Sequence, residues 1–139
     1  MDEQGPYSGG CQCGFVRYRL EGKIHRLNIC HCRDCQRQSG SAFGMSLIVP
    51  RDTFMLVEGE LSTFELDADS GRRKTCAFCP RCGVRIHNST SALYSIKAGT
   101  LDDVSWLSPD GHYFVRSKQA WTALPDDVPC FETHERGPA

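Results

Sequence analysis

The stretch "NICHCRDCQRQSGSAF", residues 28–43, packs Cys30, Cys32 and Cys35 into six positions. Two more cysteines lie upstream, at Cys11 and Cys13, and three downstream, at Cys76, Cys79 and Cys82. The ninth, Cys130, stands alone near the end of the chain. Disulfides, redox chemistry and metal binding compete to explain this concentration.

Composition narrows the choice. The chain has 139 residues, which fits one domain over 1–139. The polar ends, residues 1–8 and 132–139, read as loose tails. The acidic start "MDEQGPYSGG" lacks the basic and apolar parts of a secretory signal, so the expected compartment is the cytoplasm. No apolar run approaches the roughly 18 residues of a membrane span. The net charge is -1, which argues against a general electrostatic hold on nucleic acid or an acidic membrane. The one basic cluster, "GRRK" at 71–74, reads as a solvated loop after an acidic segment. Disulfides seldom persist in a reducing cytosol, and nine cysteines leave one thiol over. Metal binding therefore leads.

Between the tails the pattern is mostly of period two, and the fold class reads as mainly β. "CGFVRYRLEG" sets Phe15 and the arginines against Val16, Tyr18 and Leu20. "FGMSLIVP", "FMLVEGE", "STFEL", "VRIHNS", "LYSIKAGTL" and "HYFVRSKQAW" are short, β-branched or aromatic, and bounded by turn formers. "SPDGHY" marks a turn. A short helix is expected at about 34–39, with Asp34 as a cap, Ser39 in the last turn and Gly40 ending it. "DDVSW" suggests a further helical turn. The expectation is a mainly antiparallel β domain that presents cysteines at strand ends.

Spacing inside the clusters carries chemistry. Side chains at i and i+2 of a strand share a face, so Cys11 and Cys13 can converge, as can Cys30 and Cys32. His31, between the latter two, then points away and reads as a packing or supporting residue. Cys79-Pro80-Arg81-Cys82-Gly83 has the form of a metal knuckle, in which Gly supplies a positive φ where the chain doubles back. A knuckle plus two distant cysteine pairs favours zinc over an iron–sulfur cluster. Eight clustered cysteines allow two closed four-cysteine sites. They equally allow one closed site and one three-cysteine site with an open corner. Spacing alone does not choose.

"GGCQCGFVRY" (9–18), "CHCRDCQRQSGSAF" (30–43), "FCPRCGVRI" (78–86) and "PDGHYFVRSKQAW" (109–121) resemble the glutathione-dependent formaldehyde-activating family, which shares a domain with centromere protein V. The likeness spans about residues 9–131. It implies a β-tent fold of antiparallel sheets around two zinc ions, with one or two short helical turns. It implies that Cys11, Cys13, Cys79 and Cys82 hold a structural zinc. It implies that Cys30, Cys32 and Cys35 hold an open, catalytic zinc. Cys76 and Cys130 fall outside this pattern, and Cys130 reads as a small buried hydrophobe. His112 and Trp121 belong to the last motif. Trp121 reads as core, and His112 as an ordinary buried or surface histidine.

Three thiolates on a dication leave a net charge of about -1, a poor Lewis acid. Such a centre can still take a fourth thiol and deprotonate it, making a nucleophile at neutral pH. The resemblance implies glutathione as that thiol, an aldehyde or S-substituted adduct as its partner, and carbon–sulfur lyase or transferase chemistry. Glutathione carboxylates would need cations. Arg33, Arg37, Arg81, Arg85 and Lys97 are candidates among which one sequence does not choose. The rival reading is a non-catalytic, zinc-stabilised protein-interaction module, favoured if both sites are closed. A redox protein similar to methionine sulfoxide reductases is disfavoured, because only Cys76 and Cys130 are spare. Open strand edges permit a homodimer.

Overall fold

The computed structural model describes residues 5–67 and 71–133. Ten strands form two sheets. In the first, β1 (Tyr7–Gly10), β2 (Arg17–Leu20) and β5 (Phe54–Glu58) lie in the order β1-β2-β5. The second contains β3 (Arg26–Cys30), β4 (Gly44–Pro50), β6 (Ser62–Asp67), β7 (Arg73–Phe78), β8 (Arg85–Ser89), β9 (Leu93–Lys97) and β10 (Gly111–Tyr113). Its order is β10-β3-β4-β9-β8-β7-β6. Among the described residues one α-helix, α1, spans Arg33–Ser39, and 3-10 turns occupy Arg51–Thr53, Ala98–Thr100 and Val115–Ser117. The mainly β expectation is met. No helix among the described residues is long and apolar enough to cross a membrane.

The sheets face each other because their apolar residues alternate. Val16, Tyr18 and Leu20 are buried from the first sheet, as the period-two pattern requires. The second sheet answers with rows of cross-strand partners. Leu27, Leu47, Ile96, His87 and Ala77 pair in succession on its inner face. Leu27, Leu47 and Ile96 are each at most 1% exposed. Each such side chain contributes roughly 1.5–3 kcal/mol by leaving water. The Tyr18 hydroxyl keeps a partner inside, bonding the Thr100 hydroxyl at 2.7 Å.

The outer face of the same sheet bears different residues. Arg26, Ile48, Ser95, Asn88, Cys76 and Phe64 form one row across six strands. Asn28, Ser46 and Lys97 form the next, and Cys30 faces Gly44 in the third. This polar wall is what positions the site.

Several expectations need correction. The sheets are mainly antiparallel, as expected, but one pair is parallel: β10 runs alongside β3 in the same direction. It arrives by a long connection from β9, and its entry is pinned by the Asp110 amide on the Leu27 carbonyl and the Leu27 amide on Asp110 Oδ2. "HYFVRSKQAW" is not one strand, because Phe114 adopts a left-handed φ of 56° and the chain turns into a 3-10 segment. Tyr7 and Ser8 belong to β1, and Glu132 and Thr133 accept amide bonds from Arg116 and Phe114. Residues 1–4 and 134–139 of those tails lie outside the described residues. Arg73 and Lys74 sit in β7 rather than in a loop. "DDVSW" makes one hydrogen-bonded turn, from the Leu107 amide to the Val104 carbonyl, with Asp103 Oδ1 accepting from the Ser105 amide.

Candidate metal centre

Two reverse turns build the first cluster. After β1, the Gly14 amide donates to the Cys11 carbonyl and the Cys11 amide to the Val16 carbonyl. After β7, the Gly83 amide donates to the Cys79 carbonyl and the Cys79 amide to the Val84 carbonyl. Gly14 and Gly83 carry φ of 84° and 82°, which most side chains resist. Cys11 and Cys13 therefore converge through a glycine-closed turn rather than through strand alternation. The guanidinium of Arg81 lies 3.9 Å over the Phe15 ring and ties one turn to the other.

The four sulfurs of Cys11, Cys13, Cys79 and Cys82 lie within 4.8 Å of one another. Cys11 and Cys13 are 3.6 Å apart, and Cys13 and Cys79 are 3.8 Å apart. A tetrahedral zinc with Zn–S bonds near 2.3 Å needs sulfurs about 3.8 Å apart. Backbone amides already point at the sulfurs: Val16 at Cys11 (3.2 Å), and Arg81 and Cys82 at Cys79 (3.3 and 3.4 Å). Such donors favour thiolate. The Val84 amide leads in holding Cys82 down at about 6. The Phe15 amide acts to lower Cys13 too, yet burial and the neighbouring thiols push it up to about 11. Four sulfurs this close cannot all ionise without a cation between them, and the donor set fits zinc.

The second cluster sits where β3 meets α1. Cys30 ends β3, and Cys32 is the N-cap of α1, its sulfur accepting from the Cys35 amide at 3.3 Å. Cys35 lies in the first helical turn. The three sulfurs fall within 4.8 Å of one another, and among the described residues no fourth ligand joins the group. Gly44 makes room: a Cβ there would lie 3.2 Å from Cys35 Cβ. At the far end Gly40 adopts the left-handed cap, and the Ser39 hydroxyl donates to the Cys35 and Phe43 carbonyls. Hydrogen bonding from Cys30, then Cys35, pulls the Cys32 thiol far down. Cys30 is pushed up, first by its bond to Cys32. Cys35 is lowered by Cys30 but raised more by Cys32 and burial, to about 11. The charge again concentrates until a cation shares it, and the thiolate donors suit zinc.

Beside Cys30 and Cys35 opens a cavity of about 290 Å³ on the polar outer wall. Arg26, Arg72, Lys74 and Lys97 line it, with Asn28 and Ser46 among the polar residues between them. Asp34 pairs with Lys74 and ties α1 to β7. That pairing outweighs burial and raises Lys74. Of the five cations considered from sequence, only Lys97 lines this cavity. Arg33 and Arg37 line a shallower depression beyond α1, with Gln36 and Trp121. Arg81 covers Phe15, and Arg85 bonds Asn88 Oδ1 at 2.8 Å. Sequence reasoning missed Arg26, Asn28, Arg72 and Lys74. Counting back by twos from Cys30 finds Asn28 and Arg26 on its face.

His31 is fully buried, and its Nε2 meets His112 Nδ1 at 2.9 Å, on the side away from the thiols. Burial lowers both imidazoles. Cys76 is buried on β7 and belongs to neither cluster. Two expectations fail. Cys130 is exposed, with its thiol 3.4 Å from the Val128 carbonyl. Trp121 is 74% exposed, because the chain leaves the strand at Phe114 and never turns its ring inward. Its indole N–H bonds Gln119 Oε1 instead, at 2.7 Å.

The fold is similar to the crystal structure of a Rhodobacter sphaeroides protein, at 19% identity and a TM-score of 0.56, over 71% of this chain and 91% of that one. The family model described as glutathione-dependent formaldehyde-activating enzyme matches residues 6–117. That span contains both cysteine clusters and every side chain of the cavity wall named above. The chain belongs to the glutathione-dependent formaldehyde-activating enzyme family.

Proposed function

We propose that the protein is a zinc-dependent carbon–sulfur lyase or transferase that joins a thiol such as glutathione to an aldehyde such as formaldehyde, or parts such an adduct. One observation carries this reading. The first cluster gathers four sulfurs, whereas the second gathers three and opens onto a basic cavity. Cys11, Cys13, Cys79 and Cys82 would hold a structural zinc, and Cys30, Cys32 and Cys35 a catalytic one. Bound at that three-thiolate site, zinc supplies the positive charge that turns a substrate thiol into a thiolate at neutral pH.

The chain's own residues do the rest. The N-cap bond from Cys35 to Cys32 fixes α1 against β3, so the three sulfurs hold one orientation. Arg26 and Lys97, which line the cavity, make it attractive to an anionic substrate. The substrate sulfur adds its electron pair to the aldehyde carbon. The carbonyl π pair moves to oxygen, which takes a proton from water. The reverse sequence breaks the same carbon–sulfur bond.

The test is exchange NMR on glutathione and formaldehyde, with zinc counted alongside. Wild type should hold two zinc ions and speed the exchange above the uncatalysed rate. Cys35→Ser should keep one zinc and the fold but lose the acceleration. A wild type that never speeds exchange, and whose cobalt-substituted spectra ignore added thiol, leaves only a zinc-stabilised binding module.

A further inference from the structure

The wall beside Cys30 and Cys35 carries two polar atoms without a partner and one amine that, among the described residues, faces no carboxylate. Arg26 Nε and Asn28 Oδ1 are buried and have no hydrogen-bond partner. Lys97 reaches Ser46 Oγ at 3.3 Å, but no carboxylate among the described residues neutralises it. Burial, with the like charges of Lys74 and Arg85, lowers Lys97 against the opposing pull of the Cys35 and Cys30 thiols, so an anionic ligand is what would hold it charged. All three residues line the same cavity. Strand geometry explains why. Arg26 and Asn28 flank the inward-facing Leu27 on β3, and Asn28, Ser46 and Lys97 are cross-strand partners. Buried donors, acceptors and charges are ordinarily paired. An orphaned donor, an orphaned acceptor and an ammonium without a carboxylate therefore describe the ligand by complement. It must offer anionic oxygens to Arg26 and Lys97 and an N–H to Asn28.

We infer that Arg26, Asn28 and Lys97 are the specificity-determining residues of this pocket and select an amino-acid-like thiol, one that carries both carboxylate and amide or amine N–H groups. The inference rests on the proposed function only for where the substrate sulfur goes. Carboxylate oxygens accept from Arg26 Nε and Lys97 Nζ, and a substrate N–H donates to Asn28 Oδ1. A thiol lacking these groups would bury the three side chains unpaired, and sites of that kind discriminate strongly.

The experiment uses zinc-loaded protein and two thioether probes, S-methylglutathione and its dimethyl ester, with affinities read by calorimetry. A thioether supplies no thiolate, so binding reports the wall rather than the cysteines. Wild type should bind the acid at least ten-fold tighter than the ester. Lys97→Met and Arg26→Met should each weaken the acid ten-fold or more and leave the ester unchanged. Asn28→Ala should weaken both probes, since both keep their amides. All three variants should retain two zinc ions. Equal binding of acid and ester by wild type overturns the inference, as does a Lys97→Met variant that loses both probes equally. Should a variant fail to fold, the wild-type ratio of acid to ester still decides. Thiol–aldehyde exchange is measured in parallel. Discrimination without exchange sinks the catalytic reading alone, and exchange without discrimination sinks this one alone.

Discussion

Gly44→Ala tests how tightly α1 is seated on the sheet. The added Cβ would stand 3.2 Å from Cys35 Cβ and 3.6 Å from its sulfur, so Cys35 must give way by a few tenths of an ångström. Overpacking of this kind costs about 1–3 kcal/mol. Replacing a strand glycine returns about 0.5–1 kcal/mol through a stiffer unfolded chain. The net loss is then about 0–2.5 kcal/mol, or several degrees in Tm for a chain of this length. The effect on the metal is larger in kind. Metal sites tolerate ligand displacements of about 0.2 Å, and the required shift exceeds that. Cobalt titration is the assay, followed through the thiolate-to-metal absorption. One site should fill as in wild type, while the three-cysteine site should weaken by about ten-fold or more. A folded variant that fills both sites with unchanged affinity would show that Gly44 does not set the helix position. Joint loss of both sites would show that the clusters are not independent.

Other outcomes follow from the same structure. Cys82→Ser should unfold the domain or drop its Tm steeply and leave no ordered zinc, whereas Cys35→Ser should melt cooperatively with one zinc. Circular dichroism melts with zinc counts compare them. Gly59→Ala places a Cβ 2.2 Å from the Phe15 carbonyl oxygen at a φ of 80°, so a loss of about 3 kcal/mol or more is expected, read by urea unfolding. Burial holds His87 down at about 4, with its ring stacked 4.2 Å from Tyr94. Its folded value lies below the unfolded value near 6.5, so the unfolded chain binds the extra proton. The stability from neutral His87 is complete above pH 6.5 and is lost as pH falls toward 4, by about 2–3 kcal/mol. His87→Phe should therefore lose less stability than wild type between pH 7 and 5 in paired urea titrations. Identical slopes would mean that His87 does not titrate on unfolding.

The strands were legible wherever alternation was clean, as at Val16, Tyr18 and Leu20, because one face meets a core and the other water. The trio Cys30, Cys32 and Cys35 was legible from spacing, since short spacings bind thiols to one place whatever the fold, whereas the grouping of Cys11 and Cys13 with Cys79 and Cys82 came only from the family resemblance, because spacing left that partition open. The strand argument for Cys11 and Cys13 still gave the wrong local geometry: Gly14, not a shared face, brings them together. β7 escaped notice because Arg73 and Lys74 look solvated in one dimension. The partner that buries Lys74, Asp34, lies 40 positions away. Trp121 was misjudged for the opposite reason. A large aromatic in a strand-like run belongs inside only if the strand continues, and the break at Phe114 is a backbone event that side-chain pattern does not report. The cavity wall was unreadable because its rows run across strands, and register is a property of pairing rather than of any segment.

The two sulfur groups differ in how much chain must exist before each can assemble. Cys30 through Cys35 are complete within six consecutive positions, while Cys13 and Cys79 are 66 positions apart. A nascent polypeptide leaving the ribosome therefore owns a thiol trio long before the quartet's second half has been synthesised. Closing the wider ring costs more entropy and waits on the intervening strands. If both groups take a metal ion, the trio can do so first, and the quartet only once the intervening strands exist.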